Sequence, residues 1–199
     1  MSLSRRRMLS VTAAGLGALA GGVSSVGAAD AASTPTSPSG TTTAKRWKFS
    51  LNTSTIRGQK LPLDAQFDVA AAAGYDGVEP WIGDIEAFVK NGGSPEDLAK
   101  KAADRNLKVV SAIGFAQWIV DDDAKRKAGL EQAKRDMELV RRLGGTRIAA
   151  PPAGETNNPK LDLFAAAERY RAPCDVGRQV GVTPMVEVWG FSKCLSAPR

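Results

Sequence analysis

From Trp47 onward, short apolar runs rich in β-branched residues alternate with longer stretches whose apolar positions recur every three or four residues. The runs predict strands over residues 47–52, 77–81, 108–114, 146–150 and 182–188. Their starts lie 30, 31, 38 and 36 residues apart. That spacing is the length of one strand-plus-helix unit, and the strict alternation predicts a parallel sheet covered by helices. Four helices carry their own start and stop signals. Pro62 lies where a first-turn proline fits, a helix over residues 63–73 follows, and Gly74 offers the left-handed stop. Ser94-Pro95-Glu96-Asp97 joins an N-cap, a first-turn proline and capping acids, and opens a helix ending near Asn106. Asp121, Asp122 and Asp123 place negative charge at the start of a third helix, on which Leu130, Ala133, Met137 and Val140 share a face before Gly144 closes it. The fourth starts at Lys160. Pro173 in its middle removes a backbone hydrogen bond, which predicts a kink or break near Ala172.

Two α/β architectures fit this order. An open five-stranded flavodoxin-like parallel sheet needs about 150 residues. A (β/α)8 barrel needs eight units, about 270 residues at this spacing. Residues 47–199 supply about four and a half units at that spacing. Length alone favours the open sheet, whereas the residues at the strand ends favour the barrel.

The pattern before Trp47 is different. Ser4-Arg5-Arg6-Arg7-Met8-Leu9 leads into a glycine-rich apolar stretch and then small residues around Val26-Gly27-Ala28 and Ala29-Asp30-Ala31. This three-part order reads as an export signal over residues 1–31, and the S-R-R-x-apolar-L core as the twin-arginine type, which sends folded proteins to the bacterial periplasm or beyond. Residues 32–45 are Ser, Thr, Pro, Gly and Ala with one Lys, a flexible linker with too little apolar surface to pack. The folded part is then 46–199. The formal charge of +6 changes meaning accordingly, because Arg5, Arg6 and Arg7 belong to the leader and the remainder carries about half of it. A nucleic-acid partner is not expected, and membrane contact is expected only through an uncleaved signal.

Composition narrows the chemistry. The chain has no histidine, which excludes a Ser-His-Asp triad, a Cys-His pair, an HExxH zinc site and His-containing zinc fingers from its own residues. Cys174 and Cys194 are the only thiols; export permits a disulfide between them, but their spacing does not establish one. No GxGxxG or GxxxxGK[ST] occurs, so the nucleotide-binding forms of an open sheet have no motif behind them.

Two strand ends echo each other: Val78-Glu79-Pro80-Trp81 and Val186-Glu187-Val188-Trp189. Each sets a carboxylate inside an apolar run with an indole two residues on, so that acid and indole share one face. A carboxylate among valines must find a metal, a cation or hydrogen bonds. For Glu79 a backbone-bonded strand-end acid and a functional acid are equally compatible readings. Trp81, Trp118 and Trp189 all follow predicted strands, where they either wall a sugar pocket or fill the core. Lys193 is a candidate contact for an anionic or hydroxyl-rich ligand, with a solvated lysine as its alternative.

Five segments taken together resemble the sugar phosphate isomerase/epimerase family, the xylose isomerase-like TIM-barrel group that also contains endonuclease IV. They are Leu51-Asn52-Thr53-Ser54-Thr55-Ile56-Arg57-Gly58, Gly74-Tyr75-Asp76-Gly77-Val78-Glu79-Pro80-Trp81, Ser111-Ala112-Ile113-Gly114-Phe115, Leu143-Gly144-Gly145-Thr146-Arg147-Ile148-Ala149-Ala150-Pro151-Pro152 and Val186-Glu187-Val188-Trp189-Gly190-Phe191-Ser192-Lys193. The resemblance implies a (β/α)8 barrel, here about strands one to five with four helices. It implies proton abstraction next to a sugar carbonyl, with a divalent metal, Mn²⁺ or Mg²⁺, stabilising the enediolate. Many members bind the metal with a strand-five Glu, a strand-six Asp, a strand-seven His and a strand-eight Glu. Glu187 matches the first by position and would be both ligand and catalytic residue. Glu79, Trp81, Trp118, Trp189 and Lys193 would contact a sugar-like substrate. The other three ligands would fall beyond Arg199, which implies a C-terminally truncated barrel with weak or absent metal binding and accounts for the missing histidine. An endonuclease-IV-like role is disfavoured by the export signal and the missing histidine. The competing reading is a non-catalytic partial barrel, a binding protein or an inactive fragment. Open edges on strands one and five would favour self-association.

Overall fold

The computed structural model describes residues 47–195. Residues 1–31 and 32–45, read above as a signal and a linker, lie outside that range, as do the last four residues. The five strands form where the apolar runs place them, but shorter: β1 (Ser50–Asn52), β2 (Gly77–Glu79), β3 (Lys108–Val109), β4 (Arg147–Ala150) and β5 (Thr183–Val186). All pair in parallel. β1 pairs with β2 and β2 with β3, while β4 pairs with β5. Ile113 joins the two groups through single bridges to Trp81 and to Ala149. At that junction the Ile113 N–H donates to the Pro80 carbonyl at 2.9 Å and the Ala149 N–H to the Ala112 carbonyl at 2.8 Å.

Strand order therefore equals chain order. A flavodoxin-like sheet places its first strand inside, between the second and third. Here β1 lies at an edge with β2 as its one strand partner among the described residues. The open-sheet alternative fails on this point, and the sequential order is that of consecutive barrel units.

The helices are α1 (Leu63–Ala72), α2 (Ile82–Lys90), α3 (Pro95–Asp104), α4 (Asp123–Arg142) and α5 (Leu163–Val180), with a 3-10 helix over Thr53–Gln59. The Ser94 cap forms as the sequence predicts, and one acid of the 121–123 run caps α4. The Ser94 hydroxyl accepts from the Asp97 N–H at 3.1 Å, and the Asp122 carboxylate from the Lys125 N–H at 2.9 Å. Gly181 closes α5 at φ 82°, the left-handed region that side chains avoid.

Two helix expectations need correction. The described residues hold five α-helices, not four: α2 follows β2 directly. Its Ile82 and Ile85 are buried one turn apart, although Gly83 and the Gly92-Gly93 pair give the stretch a loop-like composition. The second correction is Pro173. α5 runs through it without a break and starts three residues after Lys160, at the Asp162 cap. Pro173 is buried, in a small cavity that Trp118 and Pro184 also line. Packing along an 18-residue helix outweighs one missing hydrogen bond, a cost of about 3 kcal/mol.

One apolar cluster joins the strands to the helices. Leu51, Val78, Val109, Ile148 and Val182 pack with Phe67, Ile85, Leu98, Met137 and Val140. These strand residues alternate with Asn52 and Glu79, so the helices cover one face of the sheet and the polar pair takes the other. A second cluster holds Trp118, Ile119, Ala150, Leu161, Ala166 and Cys194. Cys174 and Cys194 are both free thiols, so the disulfide that export would permit is not formed. Among the described residues, no helix is long and apolar enough to cross a membrane.

Candidate functional site

The site forms at the C-terminal ends of the strands and starts from the register of β1 on β2. Asn52 lies opposite Glu79 in a parallel pair, so both side chains leave the same face. The Asn52 amide donates to Glu79 Oε2 at 2.9 Å. Asn52 Oδ1 accepts from three directions: the Trp81 indole N–H at 3.0 Å, the Ser54 N–H at 3.0 Å and the Ser54 hydroxyl at 2.8 Å. One amide thus caps the 3-10 helix, holds a carboxylate and fixes an indole. Glu79 meets its polar demand with this amide and with no cation among the described residues.

From Trp81 an aromatic wall runs across the strand ends. Trp81 and Phe115 have ring centroids 5.1 Å apart at 45°, Phe115 and Trp189 6.1 Å at 45°, and Trp189 stacks on Phe191 at 5.1 Å and 22°. The Arg57 guanidinium carbon lies 4.4 Å from the Trp81 centroid, over the ring. Such a wall offers flat apolar faces to the C–H side of a sugar ring.

Glu187 follows directly on β5, with its backbone N–H reaching the Ala150 carbonyl at 3.4 Å. Its Oε2 is buried and has no hydrogen-bond partner. A carboxylate oxygen in that state demands a proton, a donor or a cation from outside the described residues. It suits one ligand position of a hard divalent ion. Among the described residues, no three His, Cys, Asp or Glu side chains group to complete such a site.

The wall therefore brings together Glu79, Trp81 and Trp189 of the residues singled out in the sequence, and Glu187 stands two residues before Trp189. Trp118 goes elsewhere: it is 3% exposed, donates its indole N–H to the Pro151 carbonyl at 3.0 Å and packs on Tyr170 in the second core cluster. Lys193 is exposed; its backbone N–H donates to the Thr156 carbonyl at 2.7 Å and anchors the turn that carries Trp189 and Phe191. Asn52, Arg57, Phe115 and Phe191 were not foreseen. For Asn52 a signal existed: it is a polar residue closing a short apolar strand, the same feature that singled out Glu79.

The sequence profile of the xylose isomerase-like TIM barrel family matches residues 67–196. Fructoselysine 3-epimerase of Escherichia coli O157:H7 is 25% identical over 138 residues, covering 65% of this chain and 50% of the relative. 3-Dehydroshikimate dehydratase of Pseudomonas aeruginosa is 30% identical over 113 residues, covering 54% of this chain and 17% of the relative. The chain spans about half the length of the curated epimerases it matches. Among solved structures, the IOLI protein with a binding zinc atom superposes with a TM-score of 0.59 at 19% identity, over 70% of this chain and 51% of that one. The probable 3-DHS dehydratase AsbF from Bacillus anthracis gives 0.59 at 16% identity, over 70% and 52%. With its sequential parallel strands and this profile match over most of its described residues, the chain belongs to the xylose isomerase-like TIM barrel family.

Proposed function

We propose that the chain is part of an exported sugar or sugar phosphate isomerase/epimerase, built from strands one to five of the barrel. The observation that carries this reading is the bare, buried Oε2 of Glu187 at the strand-five end. Export rests on the twin-arginine pattern around Arg5, Arg6 and Arg7. The epimerase and dehydratase relatives support sugar-like, carbonyl-containing substrates.

In this mechanism Trp81, Phe115 and Trp189 bind the carbon skeleton and exclude water from one face of it. Asn52 fixes Trp81 and Glu79, leaving the rest of the Glu79 carboxylate for substrate hydroxyls. Glu187 supplies the unsatisfied acceptor. The reaction removes a proton from the carbon beside the carbonyl. It returns the proton to the opposite face for epimerisation, or to the neighbouring carbon for isomerisation. A divalent ion, when bound, would be held by Glu187 with donors outside the described residues and would polarise the substrate oxygens.

The test is a pair of measurements on the purified chain with and without Mn²⁺: the melting temperature, and uptake of solvent deuterium beside the carbonyl of ketose sugars by NMR. The expected result is a Mn²⁺-dependent rise in melting temperature with exchange. Glu187→Gln should abolish the rise and slow exchange about 100-fold or more. No metal response and no exchange, with binding of a dye for exposed apolar surface, would favour a non-catalytic binding protein or an inactive fragment instead.

A further inference from the structure

Arg57 lies over the wall, and the isomerase reading leaves it unused. It projects from the 3-10 helix that follows β1, exposed, with its guanidinium over Trp81. Among the described residues no carboxylate pairs with it and none of its side-chain N–H groups donates a hydrogen bond. The indole beneath it is a fixed platform, because Asn52 holds the Trp81 N–H at 3.0 Å. The acid beside that platform, Glu79, is turned to the Asn52 amide through its Oε2 and makes no ion pair with Arg57 among the described residues. A guanidinium placed over an aromatic ring keeps a planar fork of N–H donors whose geometry matches two oxygens of a carboxylate or phosphate. The ring contact also restrains the side chain, and a restrained donor loses less freedom on binding. Position adds a direction. Arg57 stands at the Trp81 end of the wall, Phe115 links Trp81 to Trp189, and Glu187 comes two residues before Trp189 in the chain.

We propose that Arg57 is the oxyanion-binding residue of this site: the substrate is an anionic sugar derivative whose carboxylate or phosphate is held by the Arg57 guanidinium. The carbon skeleton lies along the wall, and the reacting carbonyl reaches toward Glu187. This deepens the isomerase reading and rests on it for the identity of the reacting end.

Binding, read by tryptophan fluorescence on the full chain, tests the proposal without turnover. The probes are glucose, glucuronate, glucose 6-phosphate and inorganic phosphate. At least one anionic sugar should bind 10-fold or more tightly than glucose. Arg57→Met, which keeps an apolar stem over the indole, should reduce that sugar to the affinity of glucose, and Arg57→Lys should fall between. Whichever of glucuronate and glucose 6-phosphate shows the loss identifies the anion, and inorganic phosphate should compete if it is the phosphate. An unchanged melting temperature for Arg57→Met separates lost binding from lost fold. The proposal is overturned if Arg57→Met keeps the preference, if charged and neutral sugars bind alike, or if the parent chain binds none of the probes. Arg57-dependent binding without any proton exchange would instead overturn the isomerase reading and leave the oxyanion site standing.

Discussion

Asp136 lies in α4 with 1% of its surface exposed, and neither carboxylate oxygen has a hydrogen-bond partner among the described residues. Burial pushes its carboxyl up to about 6, helped by the Glu86 carboxylate of α2; Arg135 and Gln132 on its own helix oppose the shift weakly. The folded chain therefore holds a proton between about pH 4 and pH 6 that the unfolded chain has released. Stability falls as pH rises through that window and stays lowered above it, by about 2–3 kcal/mol. Asp136→Asn removes the ionisation. Urea unfolding should show the variant more stable than the parent by about that amount at pH 8, with little difference at pH 4. Equal stability at pH 8 would contradict the assignment.

The same scale explains which site residues could be read in advance. Glu79 and Glu187 stand out as charges inside apolar runs, and no packing detail is needed to see that. Trp81 and Trp118 have the same sequence signature, an indole just past a strand, yet one faces the wall and the other the core. Contact with Tyr170 of α5, about 50 residues away in sequence, decides this, and no local pattern contains it. Asn52 is central to the site and demands little notice in sequence because amides are ordinary at strand ends. Asn52→Ala would remove the partners of Glu79, of the Trp81 N–H and of the Ser54 backbone together. A loss of about 2–4 kcal/mol is expected in denaturant unfolding, with altered Trp81 fluorescence.

At the level of elements, α5 shows how closely a helix and the next strand can be fitted. A Cβ on Gly177 would lie 2.3 Å from the Val182 carbonyl oxygen and 2.8 Å from Pro184 Cδ, so the last turn sits directly on the entry to β5. Tyr170, one face of the same helix, donates its hydroxyl to the Pro184 carbonyl at 2.5 Å. Burial, with the Cys174 thiol beside it, pushes that phenol up to about 12 and keeps it a donor across the neutral range. Alanine is the better helix former by about 1 kcal/mol. The clash is with backbone and cannot rotate away. Gly177→Ala should therefore destabilise by about 1–3 kcal/mol, and a stabilised variant in thermal unfolding would refute the packing. Strand positions were legible because β-branched runs recur at unit spacing. α2 was not, since only two buried isoleucines mark it within a stretch punctuated by glycine.

At the scale of the whole molecule, both outer strands carry unpaired edges among the described residues. Apolar side chains are exposed near them: Trp47 and Phe49 ahead of β1, Met185 and Val186 on β5, and Val188 beyond. Unpaired parallel edges with apolar borders template further pairing. A protein of these 199 residues should show concentration-dependent association by light scattering, suppressed when Val186 and Val188 are replaced by Lys. A monodisperse monomer at all concentrations would show that something else shields those edges.

The identity of strand order and chain order reaches beyond architecture, to how the molecule comes together. Each new strand meets its neighbour by closing a loop of roughly 30 residues, at an entropy cost near 3 kcal/mol that barely changes from one unit to the next. Growth along the chain then resembles a zipper with evenly spaced teeth: among the described residues every tooth engages the one just made, the fourth through the Ile113 bridge alone.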